Sequence, residues 1–240
     1  MAENTERKAD ATVQDPVEES TNNNLLSIIK DSILEKFPTF EILDLDDLET
    51  REKISSLEKI SYENSGYGDN TEGKDHFSRI SEYSENSSLA LGMLSDDKKE
   101  LLYYIHFTIL SPNKTVFYQD NELYLGENAD FLKFPGLVFN KILRSPAFND
   151  PHNTGAKIDL FLIQKLLEAS DVNIRIEEQC QPDSYKFFKM AERMNRLKIA
   201  KDILVENRTG VNVHKILAII YNETRNIKFL EGINGRIKMA

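Results

Sequence analysis

The sequence predicts a mainly α, modular protein: a disordered acidic amino-terminal region, a small central oligomerisation module of one helix and a β-hairpin, and a helical carboxy-terminal domain with a short β element. Three observations lead there. Apolar residues recur at helical spacing in separate blocks, polar stretches divide those blocks, and charge is shared unevenly along the chain. Of 240 residues, 30 are Lys or Arg and 40 are Asp or Glu, a net charge of −10. Residues 1–100 carry a net −13, residues 101–180 a net −3 and residues 181–240 a net +6. An acidic half of that kind repels nucleic acid and competes with it for basic surfaces.

Residues 1–24 contain no Leu, Ile or aromatic side chain, too little apolar surface to offset the entropy of ordering, so a disordered tail is expected. A region 25–60 follows. Leu25, Leu26, Ile29, Ile33 and Phe37 fall at helical spacing and Pro38 stops the helix. After the acidic patch Asp44, Asp46 and Asp47, a second helix is expected on Leu48, Ile54, Leu57 and Ile60, with an Asp as N-cap. Residues 61–94 read as a flexible Ser-rich linker with isolated aromatic anchors.

The region 95–130 reads as a helix and a hairpin. Ser95 is placed to N-cap a helix with Asp96 and Asp97 in its first turn and Leu101, Leu102, Ile105, Ile109 and Leu110 on its apolar side. The segments KTVFYQ and ELYL, joined by Asp120-Asn121, give the hairpin signal. One helix and one hairpin bury too little to stand alone. Leu101, Leu102, Ile105, Ile109, Phe117 and Tyr124 are therefore expected to meet their counterparts in a second copy, most simply as a homodimer.

Residues 131–156, interrupted by Pro135, Gly136, Pro146 and Pro151, read as a connecting segment with at most one helix near 137–144. In the last region, 157–240, IDLFLIQKLLEAS reads as a helix and VNIRIEE as a strand, by alternation of Val172, Ile174 and Ile176. Residues 184–204 read as a long basic amphipathic helix carrying Lys186, Lys189, Arg193, Arg196, Lys198 and Lys201, and residues 211–227 as another helix.

Several chemistries are disfavoured. The single Cys180 makes no internal disulfide and no structural zinc site, and the four histidines lack metal spacing. Ten glycines, about 4 % against an average near 7 %, argue against glycine-loop nucleotide enzymes. Gly68–Lys74 matches part of a phosphate loop, but Asp75 stands where a magnesium-binding Ser or Thr belongs. Glu177 and Glu178 beside Cys180 raise rather than lower a thiol pKa, and His106 reads as a core or interface residue. No apolar run approaches the roughly 18–20 residues of a membrane span, and no secretory leader is evident. No cofactor and no metal are expected.

Three segments, NLLSIIKDSILEKF with ILDLDDLE and SYEN, MLSDDKKELLYYIHFTILSPNKTVFYQDNELYLGE, and IDLFLIQKLLEASDVNIRIEEQCQPDSYKFFKMAERMNRLKIA, resemble in order and spacing the three working regions of rhabdovirus phosphoproteins. The resemblance covers about 110 of the 240 residues. A second register, with the final basic helix on VNVHKILAIIYNETRNIKFL, stays open. The family implies a non-catalytic polymerase cofactor in the host cytoplasm and the virion. Its partners would be RNA-free nucleoprotein at Leu25, Leu26, Ile29, Ile33 and Phe37, nucleoprotein–RNA at the six basic residues from Lys186 to Lys201, the large polymerase, and itself. No membrane and no sequence-specific nucleic acid are among them. The alternative is a cellular acidic-tailed helical adaptor with no polymerase link.

Overall fold

A computed structural model describes residues 16–65, 88–114, 126–148, 154–170, 172–180, 182–206, 212–223, 226–228 and 230, and among these described residues are seven strands and four long helices. The elements run α1 (Pro16–Lys36), β1 (Phe40–Ile42), α2 (Leu48–Ser65), β2 (Ser88–Leu94), β3 (Leu101–Leu110), a 3₁₀ helix (Gly126–Lys133), β4 (Gly136–Arg144), α3 (Thr154–Ser170), β5 (Ile174–Cys180), α4 (Pro182–Arg193), β6 (Leu197–Glu206) and β7 (Asn212–Ile220). All seven strands belong to one sheet, in the order β1-β2-β3-β4-β5-β7-β6. Every neighbouring pair is antiparallel except β4 and β5, which are parallel and joined through α3. This mixed α/β sheet replaces the mainly α, modular architecture expected from sequence. Segments read as separate regions contribute strands to the same sheet.

The corrections at β3 and β7 share one physical cause. LLYYIHFTIL, read as a helix, is the central strand β3, and from Tyr103 to Ile109 every residue is buried. A strand covered on both faces reads as a continuous apolar run and shows no period of two. The same applies to β7, where Ile216–Ile220 are all buried. β4, which replaces the helix expected near 137–144, is buried at Gly136–Val138 and Leu143 and exposed at Ile142 and Arg144, so it shows no clean period of two either. Ser95 and Asp97 cap no helix. They close the β2–β3 hairpin, with Ser95 N–H bonded to Glu100 O at 2.8 Å, Ser95 Oγ–H to Asp97 Oδ1 at 2.7 Å, and Lys98 at φ 58°. Ser and Asp serve turns as readily as caps.

The expected helix 184–204 ends early. Asn195 takes φ 54°, its N–H bonds Glu192 O at 2.9 Å, and Arg196 N–H bonds Ala191 O at 2.9 Å. This is the left-handed cap that ends a helix, and β6 begins at Leu197. The helices expected near 25–37, 48–60 and 158–170 correspond to α1, α2 and α3. Asp47 caps α2, accepting the Thr50 N–H at 2.8 Å, and that bond holds its carboxyl below the usual range.

Helices cover both faces of the sheet. On one face α1 lies against α3 and reaches β2 and β3, and α4 lies against β5, β6 and β7. Ile29, Ile33 and Phe37 are at most 3 % exposed within this main core. Phe37 meets Phe161 of α3 edge-on at 5.5 Å. On the other face α2 sets Ile54 and Leu57 against Ala90, Tyr104 and Leu143, and its Glu58 is ion-paired with Lys141 of β4. The phosphate-loop look-alike at 68–74, the hairpin residues Phe117 and Tyr124, and residues 1–15 of the expected disordered tail lie outside the described residues.

Candidate functional site: a cleft between two parallel strands

The parallel pair is incomplete. Gly136, Leu137 and Val138 of β4 register with Arg175, Ile176 and Glu177 of β5, and there the pairing ends. β4 continues to Arg144 and β5 to Cys180, each still paired on its outer side, to β3 and β7. Two strand edges with no partner strand among the described residues thus face a cleft that opens toward the strands' carboxyl ends. The backbone N–H and C=O groups of such edges need a partner when removed from water.

The divergence begins at a bulge. His106 pairs with Lys141 and Phe107 with Phe139, so Asn140 is the extra residue on β4. A bulge bends its strand and re-aims a side chain. Here Asn140 Nδ2 donates to Thr108 Oγ1 at 2.7 Å and lies 3.3 Å from His106 Nδ1. Its Oδ1 is buried without a hydrogen-bond partner among the described residues. His106 is fully buried, and burial pushes its imidazole down to about 4, so it is neutral near pH 7.

Beyond the divergence, β5 carries Glu178. Alternation places it on the face of Ile174 and Ile176, the face packed by α3 and α4. It keeps a little exposed surface, yet the protein around its carboxyl pushes it up to about 7. A carboxylate poised there titrates where a general base is useful. The sequence held the signal: alternation from Val172 through Ile174 and Ile176 puts Glu178 at the next position of an apolar face. Cys180 registers with His214 of β7. His214 Nδ1 lies 2.8 Å from Asp202 Oδ1, and its ring stacks on Tyr185 of α4 at 3.9 Å and 8°.

Two helices start at this end of the sheet. β4 leads to the start of α3 at Thr154, and β5 leads to the start of α4 at Pro182. Helix N-termini present unsatisfied N–H groups and favour anions.

The residues singled out from sequence lie elsewhere. Ile29, Ile33 and Phe37 are core, Leu26 packs against it, and Leu25 lies in α1. Leu101, Ile105 and Ile109 are buried within the sheet, with Leu102 half-buried beside them. The six basic residues do not form one helix face. Lys186, Lys189 and Arg193 are on α4, Arg196 follows its cap, and Lys198 and Lys201 are on β6. Lys189 pairs with Glu192 at 2.7 Å, and Lys198 sits 5.4 Å over the Phe131 ring. Among the described residues, no cluster of three or more His, Cys, Asp or Glu is arranged to hold a metal ion, and no helix is long and apolar enough to cross a membrane.

No protein-family model and no curated protein sequence matches the chain. It is similar to solved structures at low identity. FeeM, an N-acyl amino acid synthase from uncultured soil microbes, aligns at 14 % identity and TM-score 0.46, over 76 % of this chain and 94 % of that one. The ribosomal-protein-S18-alanine N-acetyltransferase of Escherichia coli aligns at 12 % and 0.44, over 78 % and 97 %. The aminoglycoside 6'-N-acetyltransferase of Enterococcus faecium aligns at 13 % and 0.41, over 78 % and 98 %.

The sheet overturns the rhabdovirus reading. A protein of helical modules and linkers has no continuous seven-stranded sheet. The non-catalytic polymerase cofactor, its nucleoprotein and polymerase partners, and the adaptor alternative fall with it.

Proposed function

We propose that the chain is an acyltransferase that lays a phosphopantetheine-type thioester in the cleft between β4 and β5 and passes its acyl group to an amine. One observation supports this above the rest: a parallel pair that separates after three registered residues and leaves two facing edges unpaired. In open α/β sheets, ligands bind in the crevice beyond the carboxyl ends of parallel strands. A chain that fits between two sheet edges is slender and brings its own amide donors and acceptors, as an added strand does. Its far end lies near the start of α3, where an anionic group is favoured. A phosphopantetheine arm has each of these properties: a narrow chain, two amides, a phosphate at one end and a thioester at the other.

The chemistry then falls to the cleft's side chains. Glu178 takes a proton from the acceptor ammonium, the freed nitrogen forms a bond to the thioester carbonyl carbon, the carbon–sulfur bond breaks, and the thiolate leaves as a thiol with the second proton that the nitrogen gives up on becoming an amide. A carboxyl pushed up to about 7 is matched to that transfer near neutral pH. Titration of the full chain with acetyl-coenzyme A and longer acyl-coenzyme A esters tests the reading, followed by chromatographic assay of released coenzyme A with a panel of primary amines. Saturable binding with amine-dependent release is expected. Absence of binding at about 1 mM donor, a free energy weaker than about −4 kcal/mol, overturns it.

A further inference from the structure

We propose that His214, held by Asp202, is the second station of a proton relay that begins at Glu178. This rests on the acyltransferase reading of the cleft. The ladder register places the residues on one face of the sheet. Glu178 faces Ile216 on β7, Ile216 faces Asp202 on β6, and His214 is two residues from Ile216 on the same side of β7. Glu178 and His214 are thus diagonal neighbours on one face, roughly 7–8 Å apart at the backbone, a span that one water bridges.

The ring is held in one orientation from two directions. Asp202 Oδ1 accepts from Nδ1 at 2.8 Å, and Tyr185 stacks flat on the ring at 3.9 Å. With the Nδ1 proton committed to a carboxylate, Nε2 is the nitrogen with the lone pair. The pair is partly enclosed, with side-chain exposures of 16 % for His214 and 26 % for Asp202, so a proton arriving at His214 has a short way to water. Among the described residues, the ionisable groups whose ladder positions flank the ring are Asp202 on β6 and Glu178 on β5, and Tyr185 of α4 stacks on it.

The relay balances. A proton taken from the acceptor ammonium by the Glu178 carboxylate passes to His214 Nε2, and Asp202 stabilises the imidazolium. The proton then leaves to water, returning Glu178 to its anionic form for the next turnover. Asp202 and Tyr185 are positioning residues in this scheme.

The test uses the full chain and its His214→Gln, His214→Asn and Asp202→Asn variants, with folding checked by circular dichroism. Donor binding is read by calorimetry with acetyl-coenzyme A, and turnover by coenzyme A release across the pH range. Binding within twofold of wild type, kcat lowered about 100-fold in the His214 variants and less in Asp202→Asn, and an altered pH profile of kcat are expected. A nitrogen-15 titration of the histidines reads the Nδ1–H tautomer independently of turnover. Wild-type kcat and an unchanged pH profile in a folded His214 variant overturn the relay alone. Failure of the wild-type chain to bind any acyl donor overturns the acyltransferase reading and the relay with it.

Discussion

Arg175 and Glu177 stand two residues apart on β5, share one face of the sheet, and pair Nε to Oε1 at 2.9 Å with side-chain exposures of 0 % and 1 %. The approach is a close ion pair rather than an aligned hydrogen bond. Burial lowers the guanidinium pKa and the carboxylate beside it works the other way. Arg175 also donates to the backbone oxygens of Lys114 and Leu132, tying the end of the β3 loop and the 3₁₀ helix to β5. The pair flanks Ile176, at the three positions where β4 and β5 stay together. It fastens the closed end of the cleft. Gly136 leaves room for it, since a Cβ there would come 2.7 Å from Arg175 Nη2.

Removing one partner leaves the other charge buried and uncompensated. Glu177→Gln is expected to cost about 3–5 kcal/mol in denaturant unfolding, while the double replacement Arg175→Met with Glu177→Leu costs less than the single. A Glu177→Gln protein within about 0.5 kcal/mol of wild type contradicts this account.

Deleting Asn140 tests the bulge. Every β3 partner keeps its register after the deletion, because Lys141 already faces His106 and Phe139 already faces Phe107. The straightened β4 is expected to run closer to β5 and close the cleft. Donor binding should then fall at least tenfold, about 1.4 kcal/mol, with the far-ultraviolet spectrum of the fold retained. Undiminished binding by the deletion protein argues that the cleft holds no ligand.

Glu178 gives a pH prediction with a definite sign. Its folded carboxyl is pushed up to about 7 from an ordinary value of 4.5, so between those values the folded state holds a proton that the unfolded state has released. Stability from this group is full below pH 4.5 and falls as pH rises toward 7. Glu178→Gln removes that slope and is expected to be more stable than wild type by about 1–3 kcal/mol at about pH 8 and little changed at about pH 4. Thermal melts across pH read it. The same substitution should abolish amine-dependent coenzyme A release, the trade of stability for activity common at functional sites.

Ile33 is fully buried in the main core, where α1 packs against α3. Ile33→Ala is therefore expected to lower the stability of the isolated chain by about 2–5 kcal/mol. Equilibrium unfolding decides the matter. An unchanged midpoint would mean that α1 is not seated on the sheet and is free to fold against something else.

The amino-acid sequence by itself determined those elements whose signals are local. α1 ends at Lys36, just before Pro38, α2 starts at the Asp47 cap, α3 is written in an amphipathic period, and β5 shows in the alternation of Ile174 and Ile176. Each follows from a side chain acting on its own few neighbours. The sheet does not. β3 and β7 are covered on both faces, so their apolar runs carry no period that separates strand from helix, and Asn195, which ends α4, is an ordinary residue until its φ turns positive. The site is less local still. Glu178, Asp202, His214 and Asn140 come from β5, β6, β7 and β4. Only the ladder register, set by burial across the whole sheet, brings the first three onto one face as neighbours and leaves the cleft open beside them.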